Sequence, residues 1–255
     1  MIPFQRLFLF DFKRRMKSGF TLGYNIIFPI VMIWILGLLL SGNYTKKISG
    51  YEYYTLVMIP FCCTMAMITA AYAGKEESYA KTAYRYITAP ISGYQIFGAK
   101  LLSCTIIFSI CNLLVLLVGR LLWKIYLGGS LLQLVALFTA EAFCVCAAGL
   151  YIGIGMKNFI TLKNFLNLPI ALFAILGGTF FPIGSLHPVL QILIKVSPLT
   201  WINRSIFLSI YDGKDVTLLI TTLILSVAGI LLTIVGMKSF KKEEFLNGDL
   251  PGYKE

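Results

Sequence analysis

The sequence predicts an all-α polytopic membrane protein with six transmembrane helices. Hydrophobic residues make up 58% of the chain and charged residues only 13%, and the mean hydropathy of +0.82 is well above that of a soluble domain. Six apolar segments each have about 20 residues, which crosses roughly 30 Å of hydrocarbon at 1.5 Å per residue. They cover roughly residues 20–41, 53–73, 101–122, 131–154, 165–184 and 216–237.

Residues 1–19, before the first span, are predicted to form an amphipathic helix on the membrane surface. At 100° per residue, apolar side chains share one arc and basic side chains share the opposite arc. Asp11 and Arg15 interrupt the apolar arc. The alternative is a loose basic tail. The apolar arc contains Phe4, Leu7, Phe8, Phe12 and Met16, and the basic arc contains Arg6, Lys13, Arg14 and Lys17.

The distribution of basic residues predicts that both termini are cytoplasmic. With six spans in that orientation, 15 of the 22 lysines and arginines lie on the inside and 7 on the outside, as the positive-inside rule requires. The net charge of +11 therefore reflects topology and contact with membrane lipid headgroups. Because the basic residues lie between apolar spans and form no continuous stripe, nucleic acid is excluded as a partner.

Residues 74–100 form the longest predicted cytoplasmic segment, and we interpret them as a coupling loop. Charged residues, including Glu76, Glu77 and Arg85, open the segment. Pro90 disfavours helix at the residue before it, which predicts a polar helix ending near Thr88 and a second helix starting at a Ser92 cap. Such an element could transmit force from a cytoplasmic partner. The alternative is a solvated connector.

Two polar residues fall inside predicted spans. Asn112 lies near the middle of the third span, and Glu141 lies well inside the fourth. An intramembrane carboxyl group is a candidate for the substrate path or for gating. The alternative is a neutral Glu141 that forms a hydrogen bond with Asn112 and serves packing alone.

The stretch after the fifth span predicts a broken, re-entrant hairpin over residues 182–212 on the external side. The apolar run ends at Gly177-Gly178 and Pro182, and a second apolar run, too short to span, ends at Ser197-Pro198. Irregular backbone survives at membrane depth only where protein or water satisfies its polar groups. We therefore expect this hairpin to be buried against other helices.

Motifs for catalysis or cofactor binding are absent from the sequence. Gly74-Lys75 is followed by Glu, so no phosphate-binding loop is formed, and the single histidine, His187, supports neither a metal site nor a Ser/His/Asp set. Six cysteines lie inside predicted spans without metal-ligand spacing and are expected to be buried filler. We therefore expect no enzyme, cofactor or metal site on this chain.

Two stretches together resemble the permease subunits of ABC-2 type ABC transporters, of the drug and antibiotic exporter kind. The hairpin GGTFFPIGSLHPVLQILIKVSPLTWINRSI carries the Gly-Gly, Phe-Pro-Ile and Ser-Pro-Leu-Thr elements of that family. In the coupling loop, Thr82 and Pro90 keep the family spacing, and Ile91-Ser92 follow. Lys81 stands where the family has Gly, and Tyr84 stands where it has an acidic residue. The resemblance covers nearly the whole chain and implies a single transmembrane domain over 1–255.

The resemblance implies the permease subunit of an exporter. Two permease subunits, identical or paralogous, would pair with two ABC ATP-binding subunits that hold ATP and Mg. The N-terminal helix and the coupling loop would sit on those ATPases, with the contact resting on Glu76, Glu77, Thr82, Arg85 and Pro90. The substrate would be amphipathic: a drug, an antibiotic, a peptide or a lipid.

Other classes of function stay open at this point. A permease of the same fold could export a polysaccharide or a lipid-linked glycan. The chain could also be an ATP-independent membrane enzyme or an immunity protein. In each case we expect a multi-pass protein of the plasma membrane, and the resemblance favours a bacterial one.

Overall fold

A computed structural model describes most of the chain, and all regular structure in the described residues is helical. The described residues are 3–40, 48–128, 131–156, 159–180, 194–240 and 242–246. The helices are α1 (Pro3–Met16), α2 (Gly19–Leu22), a π-helical turn (Gly23–Ile27), α3 (Phe28–Leu39), α4 (Gly50–Tyr79), α5 (Ala83–Thr88), α6 (Gly93–Trp123), α7 (Leu131–Gly155), α8 (Phe159–Leu176), α9 (Pro198–Asp212), α10 (Asp215–Lys238) and α11 (Lys242–Leu246). The predicted all-α class is confirmed.

Five helical stretches in the described part of the chain are long and apolar enough to cross a membrane. They are Gly19–Leu39, Gly50–Tyr79, Gly93–Trp123, Leu131–Gly155 and Asp215–Lys238. The chain is therefore an integral, multi-pass membrane protein. The sixth predicted span, 165–184, overlaps α8, whose apolar part Thr161–Leu176 is shorter than the others. Residues 181–184 lie outside the described residues, so the sixth span stays a prediction.

The segment predicted as a coupling loop at 74–100 is largely helical, and the helices on either side of it extend further into it than predicted. α4 has 30 residues and continues to Tyr79, and α6 already begins at Gly93. The polar helix does end at Thr88, and Ser92 caps the following helix in a capping box with Gln95. That following helix is α6 itself, however, and not a separate short element.

The first span contains a π-helical turn before a proline. Pro29 has no backbone N–H, so the carbonyl of Asn25 lacks its α-helical donor. The turn over Gly23–Ile27 widens, and the Asn25 side chain donates a hydrogen bond to the Thr21 carbonyl at 2.7 Å. The helix therefore passes through the proline without ending.

α4 is the central helix of the bundle. In its most apolar window 72% of the residues are buried, against 17% for α10, whose many exposed apolar side chains suit lipid contact. α7 packs closely on α4 through small residues: a Cβ on Gly149 would lie only 2.7 Å from the Ala70 Cβ. Gly153 approaches Ala71 in the same way one turn later. The Gly-x-x-x-Gly of α7 is therefore a helix-packing feature.

The six cysteines are free thiols among these packed helices. Five are buried, and Cys144 is partly buried. No group of three or more metal-binding side chains occurs in the described ranges. The thiols fill space between helices, as small hydrophobic residues do.

Candidate functional site

A cluster of charged residues lies where α1 crosses α4 and α6, and we call it the charged cluster. It brings together three cationic and three acidic side chains from the three helices. Lys100 Nζ lies 2.6 Å from Glu77 Oε2, and both side chains are fully buried. The members are Asp11, Arg14, Arg15, Glu76, Glu77 and Lys100.

Arg14 joins α1 to the end of α4 within this cluster. Its Nη2 atom lies 2.6 Å from Glu77 Oε1, 2.8 Å from Asp11 Oδ1 and 3.1 Å from Glu76 Oε2. Burial by itself would lower the pKa of Arg14, but the negative charges of Glu77, Glu76 and Asp11 outweigh it and raise the pKa. The guanidinium group therefore stays charged and holds three carboxylates at once.

The charged cluster matters because its central charges, on Glu77 and Lys100, are removed from water. Lys100 also donates to the Ala73 carbonyl at 2.8 Å, so its ammonium group has two protein partners. Breaking a buried ion pair on one side leaves an uncompensated charge, which costs about 3–5 kcal/mol. The cluster therefore ties α1 firmly to two membrane helices.

The same contacts explain the imperfect amphipathic pattern of α1. Asp11 and Arg15, which interrupt the apolar arc, are 1% and 5% exposed, whereas Phe10 and Met16 are about half exposed. The face that meets the bundle is therefore centred on the two charged residues. Arg15 contacts Glu76 of α4 at 3.5 Å, Asp11 binds Arg14 within α1 at 2.8 Å, and apolar side chains such as Phe10 are left at the surface.

The predicted coupling residues divide into surface and interior positions. Arg85 is exposed on α5 and Pro90 is exposed in the turn after it. Glu76 keeps 39% of its side chain exposed. Glu77 is fully buried, which corrects the expectation that it lies on an exposed loop; its contacts are internal ones to α1 and α6. Thr82, at the start of α5, is partly buried.

The turn between α4 and α5 requires a residue in the left-handed backbone region. Lys81 has φ 55°, and the Thr82 N–H then donates to the Glu77 carbonyl at 2.9 Å. Only glycine adopts such a conformation without cost. This geometry explains why the family pattern has Gly at the position of Lys81.

A second site forms where α8 ends, at Gly177 and Gly178, and we call it the hairpin junction. The last carbonyls of a helix have no partner within the helix. Here side chains from α4 and α9 supply the donors. The bonds run from Ser197 Oγ to the Phe173 carbonyl (3.1 Å), Thr200 Oγ1 to Leu176 (3.0 Å), Asn203 Nδ2 to Gly177 (2.8 Å), Tyr53 Oη to Gly178 (2.6 Å) and Tyr54 Oη to Phe180 (2.9 Å).

Glycine is required at each of the two positions of the hairpin junction for a different steric reason. Gly178 has φ 72°, and a Cβ on Gly177 would lie 2.9 Å from the Leu199 Cβ. Ser197 caps α9, and Pro198 occupies its first turn, where no N–H is needed. The Ser-Pro-Leu-Thr sequence is therefore a helix start that also caps the end of α8. Pro182 lies outside the described residues.

Asn112 and Glu141 are both buried but do not pair with each other, so the predicted hydrogen bond between them is wrong. Glu141 Oε1 instead accepts from Thr64 Oγ1 of α4 at 3.2 Å. Glu141 Oε2 and Asn112 Nδ2 have no hydrogen-bond partner among the described residues. α7 packs most closely on α4, so the nearest hydroxyl to the carboxyl group comes from that helix.

Several residues of these two sites were missed from the sequence. Lys100 and Arg14 resemble ordinary inside-positive charges, and Tyr53 and Tyr54 resemble interfacial aromatics. Asn203, buried beside the junction, looks in the sequence like a single polar residue in a largely apolar run. One signal in the sequence indicates that Lys100 is buried. This lysine follows the Ser92 cap and lies on the apolar face of α6.

The fold and these two sites define the class as a multi-pass, helical membrane component in which surface helices are fixed to the spans. The match of residues 3–211 to the family described as ABC-2 type transporter shows that the chain belongs to that family. The matched range contains the charged cluster and the hairpin junction. Comparison with curated proteins gave no match.

Membership of the family defines the kind of protein. ABC-2 proteins are membrane permeases of transporters and typically work with ABC ATP-binding subunits. The chain is accordingly a transport component and not itself an enzyme.

Proposed function

We propose that this chain is the membrane-spanning subunit of an ATP-driven exporter of the bacterial plasma membrane. A separate ABC ATP-binding subunit would hold ATP and Mg, and a second permease subunit, identical or paralogous, would complete the pathway. The substrate would be an amphipathic molecule such as a drug, an antibiotic, a peptide or a lipid. The chain itself would hold no cofactor.

The observation that carries this proposal is the charged cluster. A transporter powered from outside the membrane needs surface elements that move together with its spans. Arg14 and Glu77 join α1 to α4, and Lys100 joins the same carboxylate to α6. A force applied to α1 therefore reaches two spanning helices through buried, charge-balanced contacts.

The surface that would meet the ATPase is α5 with the turns on either side of it. Tyr84 is 67% exposed, and Lys81, Arg85 and Pro90 are also exposed. Glu76 contributes a half-exposed carboxylate next to this surface. Phe245 of α11 packs against Tyr86 of α5, with ring centroids 6.3 Å apart, and so supports α5. Glu77 would act indirectly, by holding α4 in place.

The amphipathic class of substrate is supported by polar groups inside an apolar bundle. Glu141 and Asn112 bring a carboxyl and an amide into a core that is built mainly from aliphatic and aromatic side chains. A path along such helices would offer apolar walls and a few hydrogen-bonding groups, which suits a molecule with both characters.

A glycan is the second candidate substrate, and one observation favours it. Tyr53, Phe207 and Tyr211 stack in a row, with centroids 5.3 and 6.0 Å apart, along a cleft of about 570 Å³ next to the hairpin junction. Flat aromatic surfaces suit the apolar faces of sugar rings. The variants Phe207→Trp and Phe207→Ala would separate the two candidate substrates. Only glycan export should depend on a flat ring at this position, so it should be kept in Phe207→Trp and reduced in Phe207→Ala.

The first test is purification from native membranes in mild detergent, followed by mass spectrometry of the partners. A stoichiometric soluble protein with a phosphate-binding loop supports the proposal and supplies the ATPase. ATP-dependent transport should then be measured in proteoliposomes, with a partner whose phosphate-loop lysine is changed to alanine as the inactive control. Absence of any nucleotide-binding partner would instead favour an ATP-independent membrane protein.

The second test addresses the contact surface directly. Arg85→Glu reverses an exposed charge on α5 and should weaken the ATPase contact without affecting membrane insertion. Lys214→Glu reverses an exposed charge at the start of α10, at the hairpin end of the bundle, and is the matched control. Equal transport by the wild type and Arg85→Glu would remove α5 from the proposed contact.

A further inference from the structure

A cleft of about 420 Å³ lies between α9 and the first turns of α10, on the surface of the bundle. Its walls are mainly apolar, from Leu208 of α9 and from Ile220 and Ile224 of α10. Trp201 lies at the edge, is 56% exposed, and donates its indole N–H to the Lys195 carbonyl at 2.7 Å. The cleft therefore has the apolar character of a site for a chain-like ligand.

The hydroxyl groups that line this cleft already have partners. Thr200 donates to the Leu176 carbonyl at 3.0 Å, Ser205 donates to Ile202 at 2.8 Å, and Thr221 donates to Thr217 at 2.9 Å. Each of these bonds ends on a backbone carbonyl of the same chain. The hydroxyls therefore do not require a ligand.

Two cations of the cleft do lack partners. The side chains of Lys195 and Arg204 are exposed and form no ion pair or hydrogen bond with any described residue. No acidic residue is among those that line the cleft. The nearby Asp215 instead accepts a hydrogen bond from Ser209 at 2.5 Å. Among the described residues that line the cleft, these two positive charges therefore have no acidic partner.

The position of these charges favours an anion beside them. Ile220 and Ile224 lie about 8 and about 14 Å along α10 from its start at Asp215, at 1.5 Å per residue. Arg204 of α9 lines the same cleft as these two isoleucines of α10. A cation at the edge of the hydrocarbon needs either an escape to water or an anion beside it.

We propose that this cleft binds an anionic phospholipid from the leaflet at the hairpin end of the bundle. The phosphate would lie between Lys195 and Arg204, and Trp201 would lie at headgroup level, as interfacial tryptophans do. One acyl chain would run along Ile220 and Ile224. Binding of a lipid at this site does not depend on the proposed export function.

Native mass spectrometry tests this proposal with the full chain in detergent micelles. Phosphatidylglycerol and phosphatidylcholine are the probes, and Lys195→Gln and Arg204→Gln are the variants. Removing one cation near a membrane surface should weaken phosphatidylglycerol binding about fivefold. Phosphatidylcholine should bind the wild type more weakly and should be little affected by either change.

Two controls separate the lipid site from general charge effects. Lys214→Gln removes an exposed cation next to α10 that does not line the cleft, and it should leave binding unchanged. Arg204→Lys keeps the charge and should retain most of the binding. Free inorganic phosphate at millimolar concentration should not displace the lipid, because the acyl chain supplies part of the affinity.

Three results would overturn the proposal. The first is equal affinity for the two lipids, and the second is equal loss of binding in Lys214→Gln and Arg204→Gln. The third is a change of oligomeric mass in Arg204→Gln with lipid binding unaltered, which would show that a second copy of the chain covers the cleft. Both cations are exposed, so the variants are expected to fold, and their melting temperatures verify this.

Discussion

Lys100 and Glu77 form a fully buried ion pair, with 2.6 Å between Nζ and Oε2, at the point where α6 meets α4. The pair is shared, because the other oxygen of Glu77 binds Arg14 of α1 at 2.6 Å. One carboxylate therefore holds three helices together. Most of our predictions concern this arrangement or its counterpart at the hairpin junction.

Lys100→Met should strongly destabilise the protein. The change leaves Glu77 buried with one cation removed, and we expect a cost of about 3–5 kcal/mol. The measurement is the melting temperature in detergent, with unfolding monitored by intrinsic fluorescence. Lys100→Met combined with Glu77→Gln should recover part of the loss, because the uncompensated charge is then removed. A double variant less stable than Lys100→Met would contradict this account.

Arg14→Gln should loosen α1 from the bundle while the spans stay folded. The side chain loses charged hydrogen bonds to Asp11 and Glu77, worth about 2 kcal/mol each before solvent takes their place. Hydrogen–deuterium exchange of α1 should therefore rise, with exchange in α7 unchanged. Lys13→Gln, on the exposed face of the same helix, should exchange like the wild type. Unchanged protection of α1 in Arg14→Gln would show that its apolar contacts suffice.

Lys81→Gly should stabilise the protein by about 1 kcal/mol. The position has φ 55°, where a side chain is strained and glycine is not. Lys81→Ala removes the same charge but keeps a Cβ, and is expected to give no such gain. Thermal unfolding of the three proteins decides between a conformational and an electrostatic effect. A gain of equal size in the alanine variant would favour the electrostatic one.

Asn203→Ala should weaken the hairpin junction. The amide donates to the Gly177 carbonyl at 2.8 Å, and both groups are buried, so the loss leaves an orphaned acceptor that costs about 1–3 kcal/mol. Ser205→Ala is the matched control, since its buried hydroxyl binds only the carbonyl of Ile202 in its own helix. Its effect on the melting temperature should be clearly smaller. Similar losses in both variants would argue against a special role for the cap.

Glu141→Gln should accumulate in the membrane and unfold at nearly the wild-type temperature. The amide oxygen can still accept from Thr64, and the carboxylate forms no ion pair with a cation of the described residues. Glu141→Lys should fail to insert, because its charge would lie deep within the bundle. A Gln variant that does not accumulate would show that the carboxyl group itself is structurally required.

The predictions from sequence succeeded where local chemistry is decisive. The helical class followed from long apolar runs, the end of α5 followed from Pro90, and the start of α6 followed from the Ser92 cap. The break after α8 followed from Gly177 and Gly178. Each of these depends on a few neighbouring residues, and neighbouring residues are what a sequence displays.

The predictions failed where a residue depends on a distant partner. Glu77 was placed on an exposed loop, because the sequence does not show that Arg14 and Lys100 neutralise it. Glu141 was paired with Asn112, but the packing of α7 on α4 gives it Thr64 instead. In both cases the side chain's chemistry was correctly recognised and its partner was not.

The sequence by itself determined that this chain is a helical, multi-pass membrane protein, because hydropathy, caps and turn residues act locally, and its motifs resemble those of the ABC-2 type. Only the tertiary structure decided which charges are buried, which carbonyls the residues of Ser-Pro-Leu-Thr cap, and which cations stay without partners at the α9–α10 cleft. The physical reason is that an ion pair or a capping bond forms only over about 3 Å. Packing of whole helices sets such distances between residues far apart in the chain.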